Sequence, residues 1–225
     1  MKILTFLLSG PLQSWGDSSR WDHRATAAMP SKSAIIGMLG CCLGYGRGDE
    51  RLRELSRRLH FAVRADRRGS PMWDFQTVQK PGGKILNAMG KPRGDTIITP
   101  KQYLQDAAFQ VFVFGDEATL EACGQAMRHP RWPICLGRRS CPPALPVIPH
   151  IVEYDSILDA LEKVLDPAME PAPMQMTCQI EAFPGLACEG QTITRMDEVV
   201  RGDLNEYLER TVCTHTTQRR GQECI

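Results

Sequence analysis

The succession of apolar segments limits what this chain can fold into. Residues 2–9 (KILTFLLS) form a short, nearly unbroken apolar run stopped by Gly10-Pro11, the pattern of a buried strand. After a polar loop to Met29, Pro30-Ser31 open a helix. Ser31 is the N-cap candidate, and Ala34, Ile35, Met38, Leu39 and Cys42 recur at helical spacing. Gly37, Gly40 and Gly44 are poor helix formers, so they are expected to let this helix lie close to a neighbour or a ligand. Residues 49–59 (DERLRELSRRL) predict a second, strongly charged amphipathic helix with Leu52, Leu55 and Leu59 on one face. Strands are expected over 61–66, 73–78 and the second half of 103–114. Residues 116–127 then read as a helix whose acidic start suits its dipole.

The segments between and after these elements are less regular. Residues 80–101 hold Pro81, Gly82, Gly83, Gly90, Pro92 and Gly94 with five basic residues and a single acid, Asp95, which predicts a flexible or hairpin-like basic excursion. The stretch RHPRWPICLGRRSCPPALPVIPH is too rich in proline to stay regular for long. A short surface helix is expected over 155–165, followed by a Pro/Met-rich linker and weak strand candidates at 175–182 and 207–216. Strand, helix, strand, hairpin, strand, helix and a late strand make an α+β chain compatible with a β-α-β-β-α-β ferredoxin-like domain carrying insertions. The expected division is a core over 1–150, with the insertion at about 80–101, and a C-terminal extension over 151–225 that completes or covers it.

The net charge of +1 over 225 residues hides an asymmetry. Residues 1–152 carry 21 basic against 12 acidic side chains, and residues 153–209 carry 3 against 13. Such a split suggests one part facing a polyanion and another facing proteins or solvent, in a subunit that shares its ligand with others. No apolar run approaches the ~20 residues of a membrane span, so no membrane partner is expected. The apolar run at the N-terminus covers only 3–8 and no small-residue cleavage site follows, so a first strand fits better than a secretory signal, and the expected location is cytoplasmic. Nine cysteines include no C-x-x-C pair, and the five histidines do not fall at zinc spacings beside them. Reduced thiols in the core are therefore expected, with no metal and no cofactor.

Three segments could meet phosphate. The Gly10–Gly16 loop leads toward a helix start at Ser31, Lys32 and Ser33, where free N–H groups, two hydroxyls and a lysine would form an anion site. The 80–101 excursion offers lysines to phosphates and glycines for close backbone approach. In the third, Leu136-Gly137-Arg138-Arg139-Ser140-Cys141, two arginines have no acid nearby in sequence, the nearest being Glu121 and Glu153. Arginine contacts phosphate in bidentate fashion and stacks on bases, although pairing with the acidic C-terminal segment is the alternative. Trp15, Trp73 and Trp132 lie near these stretches and could stack on bases, with core packing the default expectation for each. Motifs for zinc hydrolysis, a nucleophile elbow or paired carboxylates are absent. A metal-free ribonuclease set could be assembled from His23, Tyr45 and Lys32, but nothing in their spacing supports it over structural roles.

Taken in order, LSGPLQSWG, RATAAMPSKSAIIGMLGCCLG, FAVRAD, DFQTVQ and PICLGRRSCPP resemble the Cas-five family of RAMP CRISPR-associated proteins, in the branch that serves type I-E Cascade. The resemblance runs from residue 1 to about 165. It implies a ferredoxin-like RAMP domain whose inserted β-hairpin acts as a thumb. It also implies binding of the 5′ handle of the CRISPR RNA, contacts with the backbone and large subunits of Cascade, and a place near the protospacer-adjacent end of target DNA. The handle-facing positions it implies are Gln13, Ser14, Trp15 and Gly16 in the first loop, and Arg24, Ser31, Lys32 and Ser33 around the helix start. Gly137, Arg138, Arg139 and Ser140 are implied from the Arg-rich loop, and Lys80, Lys84, Lys91 and Arg93 from the thumb. The branch implies a binding subunit, since a separate subunit cuts there. The alternative is a metal-independent endoribonuclease that processes precursor RNA, as in type I-C relatives. The acidic C-terminal portion is expected to turn toward protein neighbours or solvent.

Overall fold

A computed structural model describes residues 1–16, 24–80, 83–87, 89–92, 96–165, 175–183, 186, 188, 190–204 and 206–218. The apolar opening run is β1 (Lys2–Ser9). Its alternation sends Leu4, Phe6 and Leu8 to one face of a sheet and Ile3 to the other, and all four are fully buried. Helices α1 (Lys32–Leu43) and α2 (Arg51–Arg58) follow, then strand β3 (Leu59–Arg67). Ser31 caps α1 as expected, its hydroxyl accepting from the Ala34 N–H at 3.3 Å. A Cβ on Gly40 would lie 2.3 Å from Leu52 of α2, so this glycine does let the two helices touch, whereas Gly37 meets only open space. Strand β6 (Ala108–Gly115) and helix α3 (Glu117–Arg128) come next, α3 being capped by Asp116.

The sheet closes differently from expectation. Its fourth ferredoxin strand is β7 (His150–Glu153), four residues at the end of the proline-rich stretch. The spatial order β7-β1-β6-β3, antiparallel throughout, puts the fourth strand beside the first and the third between the first and second. Four residues after Pro149 are too few to show a period, so nothing in the sequence marks them as a strand. The later candidates, β8 (Gln175–Glu181) and β10 (Glu206–Gln218), instead extend the opposite edge beyond β3. They are joined by β9 (Gln191–Arg201), an unforeseen strand, to give the full order β7-β1-β6-β3-β8-β10-β9.

Helices α1, α2 and α3 cover one face of the sheet, over a core that includes Phe6, Ile35, Leu39, Leu55, Val63, Phe109 and Leu120. On the other face, the short α4 (Ile157–Lys163) sets Ile157 and Leu161 against Ile3, Phe112 and Ile180. No helix among the described residues is long and apolar enough to cross a membrane.

The expected excursion at 80–101 is the end of a longer hairpin. Its arms are β4 (Ser70–Gln79) and β5 (Thr96–Gln105), paired without a break from Ser70↔Gln105 to Gln79↔Thr96. With the two-residue β2 (Leu12–Gln13) they form a second, three-stranded sheet. The thumb thus spans 70–105, and Trp73–Val78 belongs to it and not to the core.

The expectation of reduced thiols, mostly in the core, also needs correction, because Cys188 and Cys213 are joined as a disulfide. Cys213 lies on β10 opposite Thr192 of β9, and Cys188 lies in the chain just before β9 begins, a relation fixed by register and invisible in spacing. Burial pushes the thiols of Cys42, Cys123 and Cys178 up to about 12, so these three behave as unreactive core residues.

Candidate nucleic-acid interface

Four segments distant in sequence meet at the base of the thumb. β2 pairs with the end of β5 through Leu12↔Gln105 and Gln13↔Leu104. The Arg24 N–H donates to the Pro100 carbonyl at 3.1 Å, and the Gln102 N–H donates back to the Arg24 carbonyl at 2.8 Å. The Ala27 N–H reaches the Trp15 carbonyl at 2.6 Å, and the Ser14 N–H reaches Leu136 in the Arg-rich loop at 3.1 Å. Arg138 ties three of these strands of chain together. Its guanidinium donates to the Gln102 carbonyl at 3.2 Å and to the Arg24 carbonyl at 3.0 Å, and lies 4.6 Å from the Tyr103 ring centre. The clasp needs a glycine beside it. Gly137 has φ of +88°, and a Cβ there would fall 1.8 Å from the Ser14 carbonyl oxygen.

The expected handle-facing residues divide between the inside and the outside of this clasp. Gln13, Ser14 and Trp15 are buried. Gln13 Nε2 donates to the carbonyls of Leu8 and Ala107, Trp15 Nε1 donates to Gln13 Oε1, and the Trp15 ring meets Phe109 edge-on. The Ser14 hydroxyl donates to the Gln102 carbonyl. These three hold the first loop against the sheet and do not present themselves to a ligand; β5 and β6 cover them, which a loop-like sequence does not reveal. Gly16 and Arg24 are exposed, as are Gly137, Arg139 and Ser140, while Arg138 is half-buried. Arg138 grips backbone carbonyls and pairs with no carboxylate of the acidic C-terminal segment among the described residues. Lys80, Lys84 and Lys91 are exposed along the thumb, and Arg93 and His23 lie outside the described residues.

The helix start is the clearest correction. Lys32 is 2% exposed. Its ammonium lies 2.9 Å from Glu181 Oε1 and 2.5 Å from Glu198 Oε2. Its backbone N–H donates to Asp197 Oδ2 at 2.8 Å, and Asp197 is held in turn by Arg210 Nε at 2.6 Å. The helix N-terminus does attract anions, as its dipole requires, but they are the protein's own carboxylates from β8 and β9. Ser31 is likewise buried, and Ser33, half-buried, shares a hydrogen bond with it. Three acids of the C-terminal portion therefore turn inward, against the expectation that this portion faces away.

The structure also exposes what the default expectation of core packing concealed. Trp73 and Phe75 are 50% and 68% exposed, and Trp132 is exposed as well. Along β4, Trp73, Phe75 and Thr77 share a face, and opposite them on β5 lie Gln102, Pro100 and Ile98. The thumb thus carries an aromatic face on its shaft and lysines toward its tip. The signal in sequence was the Trp-x-Phe spacing beside a basic Gly/Pro run, but a half-buried core strand shows the same alternation.

The family model described as CRISPR-associated protein (Cas_Cas5) matches residues 3–184. The CRISPR system Cascade subunit CasD of Escherichia coli (strain K12) is 36% identical over 151 residues, covering 62% of this chain and 66% of that protein. The match thus spans just under two thirds of that relative's length. Among solved structures, one described as a Cas protein superposes with a TM-score of 0.70 at 28% identity, over 96% of this chain and 95% of that one. A chain of a CRISPR RNA-guided surveillance complex superposes with a TM-score of 0.72, also at 28% identity, over 96% of this chain and 90% of its own.

Proposed function

Because this chain belongs to the Cas-five family of CRISPR-associated proteins, we propose that it is a non-catalytic subunit of a type I-E Cascade surveillance complex that binds and caps the 5′ handle of the CRISPR RNA. The observation that carries this reading is the thumb, with Trp73 and Phe75 exposed on one face and Lys80, Lys84 and Lys91 exposed toward its tip. Single-stranded RNA is held by stacking of splayed bases and by cations tracking its phosphates, and the thumb offers both. Gly16, Arg24, Ser33, Arg139 and Ser140 add polar and basic groups around its base. Gln13, Ser14, Trp15, Ser31, Lys32 and Arg138 act behind them by fixing the loops. The CRISPR RNA, the backbone subunit and the large subunit are the proposed partners, target DNA passes near its protospacer-adjacent end, and the assembly works in the cytoplasm.

The two halves of the thumb should separate in a salt titration. Replacing Lys80, Lys84 and Lys91 by Ala is expected to flatten the salt dependence of handle binding by roughly one unit of slope per lost phosphate contact. Replacing Trp73 and Phe75 by Ala should leave the slope unchanged and cost about 1–3 kcal/mol for each base that loses its stack. An unaltered slope in the first variant and unaltered affinity in the second would remove the thumb from the RNA site.

The absence of catalysis is supported by the fate of the candidate residues. Lys32 is enclosed by carboxylates, and the Tyr45 ring lies under Arg51 at 4.0 Å. Purified chain incubated with repeat RNA in EDTA should leave the RNA intact. Site-specific cleavage lost on mutating a His, Tyr or Lys would establish the endoribonuclease instead.

A further inference from the structure

The outer edge of β7 and the proline-lined groove beside it belong to neither the thumb nor the clasp, and we infer that they dock an extended segment of a neighbouring protein subunit, apolar and flanked by acidic residues. β7 ends the seven-stranded sheet. Tyr154 and Met1 exchange backbone bonds across β7 and β1, the Tyr154 N–H donating at 3.1 Å and the Met1 ammonium at 2.5 Å. Antiparallel pairing alternates, so with the register Ile3↔Val152 and Thr5↔His150 the inward groups are those of Val152 and His150. The N–H and C=O of Ile151 and Glu153 then point to the open side, where an added strand would find them. Four residues allow only a few such bonds, so the edge sets the partner's direction and extended form. Its identity must come from side chains.

The groove supplies that. A cavity of about 360 Å³ lies between the C-terminal turn of α3 and the approach to β7, lined by Met127, Ile134, Val147, Ile148 and four prolines. Leu145 and Ile148 beside it are 62% and 58% exposed, and Ile151 continues the apolar strip along the strand. The prolines have no N–H to offer, so the lining accepts apolar side chains in preference to a polar ligand. The one charged lining residue is Arg128, and His129, Arg131 and His150, its sequence neighbours and those of the lining prolines, are exposed. From 122 to 152 there is no Asp or Glu. That sign favours an acidic flank on the partner. A run of RNA phosphates would gain few contacts from a mainly apolar lining, so a protein segment is the better fit.

This inference rests on the chain being one subunit of an assembly, and its test keeps the two apart. The chain, carrying a benzoylphenylalanine photocrosslinker in place of Ile148, is co-expressed with the other subunits and the CRISPR RNA of its own system, and the complex is purified. Ultraviolet light is expected to join position 148 to a peptide of another subunit that has Asp or Glu beside apolar residues. Ile148→Asp, Leu145→Asp and Arg128→Glu should each lower retention of that subunit by roughly tenfold. The RNA content of the complex and the melting temperature of the free chain should not change, since the three positions are exposed. A crosslink to RNA, a crosslink confined to this chain, or full retention of every subunit in all three variants would overturn the docking strip. Loss of RNA from the parent complex would instead overturn the proposed function.

Discussion

Replacing Lys32 by Met is expected to destabilise the protein by about 3–5 kcal/mol at pH 7, the range for removing one partner from a buried ion pair. The ammonium sits between Glu181 and Glu198 with 2% of its surface exposed, so its loss leaves two carboxylates facing each other in a site that water scarcely reaches. Burial pushes the Glu181 carboxyl up. The His60 imidazole 3.4 Å away, the charge and hydrogen bond of Lys32 and the charge of Arg210 outweigh that and hold it below its usual value. A folded pKa below the unfolded one adds stability that is present above the unfolded pKa, about 4.3, and is lost as pH falls through the folded value. In the Lys32→Met variant the sign reverses, because an unpaired buried carboxylate prefers to be protonated. The gap between parent and variant should therefore be widest near neutral pH and narrow toward pH 4. Denaturant melts at the two pH values measure it. A loss below about 1 kcal/mol, or an equal loss at both, would show that Lys32 does not compensate these carboxylates.

Gly137→Ala is expected to release the RNA while leaving the sheet folded. At φ of +88° any side chain is strained, by about 1–3 kcal/mol. The strain is the smaller part. The new Cβ would fall 1.8 Å from a backbone oxygen, Ser14 O, which cannot rotate away as a side chain could. The Arg-rich loop must move, and with it go the Ser14 N–H bond to Leu136 and the two Arg138 bonds to Gln102 and Arg24. Handle binding in the assembled complex should fall by at least roughly tenfold, equivalent to about 1.4 kcal/mol. Arg138→Ala should reproduce this loss, since it opens the same clasp from the other side. Arg139→Ala should weaken binding with stability unchanged, because that side chain is exposed and holds no loop. If Gly137→Ala binds the handle as tightly as the parent, the clasp does not position the RNA site.

These two residues mark what a linear reading can reach. Gly137 was visible as part of a Gly-Arg-Arg motif, but the Ser14 carbonyl that leaves no room for a side chain there was not. Lys32 is visible in sequence as a cation at a helix start, but its burial between Glu181 and Glu198 is not. A helix N-terminus attracts an anion whatever its source, and local sequence does not distinguish a phosphate from Asp197, 165 positions away. The same limit governed Trp15 and Trp73. Trp15 is buried against Phe109, whereas Trp73 stands 50% exposed on a hairpin.

Sequence alone determined the local elements and their order. The opening strand, the Ser31 cap, the leucine face of α2 and the acidic start of α3 depend on contacts within a few residues, so periodicity and capping chemistry suffice to find them. It also determined the family, because five motifs in order carry more information than any periodicity. Tertiary structure decided which strand closes the sheet, where the thumb begins, which cysteines meet and where each charge is neutralised. Those outcomes depend on register and on what packs across from a residue, and both are set by groups far away in the chain. The one buried lysine of the basic N-terminal part is thus matched by carboxylates of the acidic part, which its local sequence places outside.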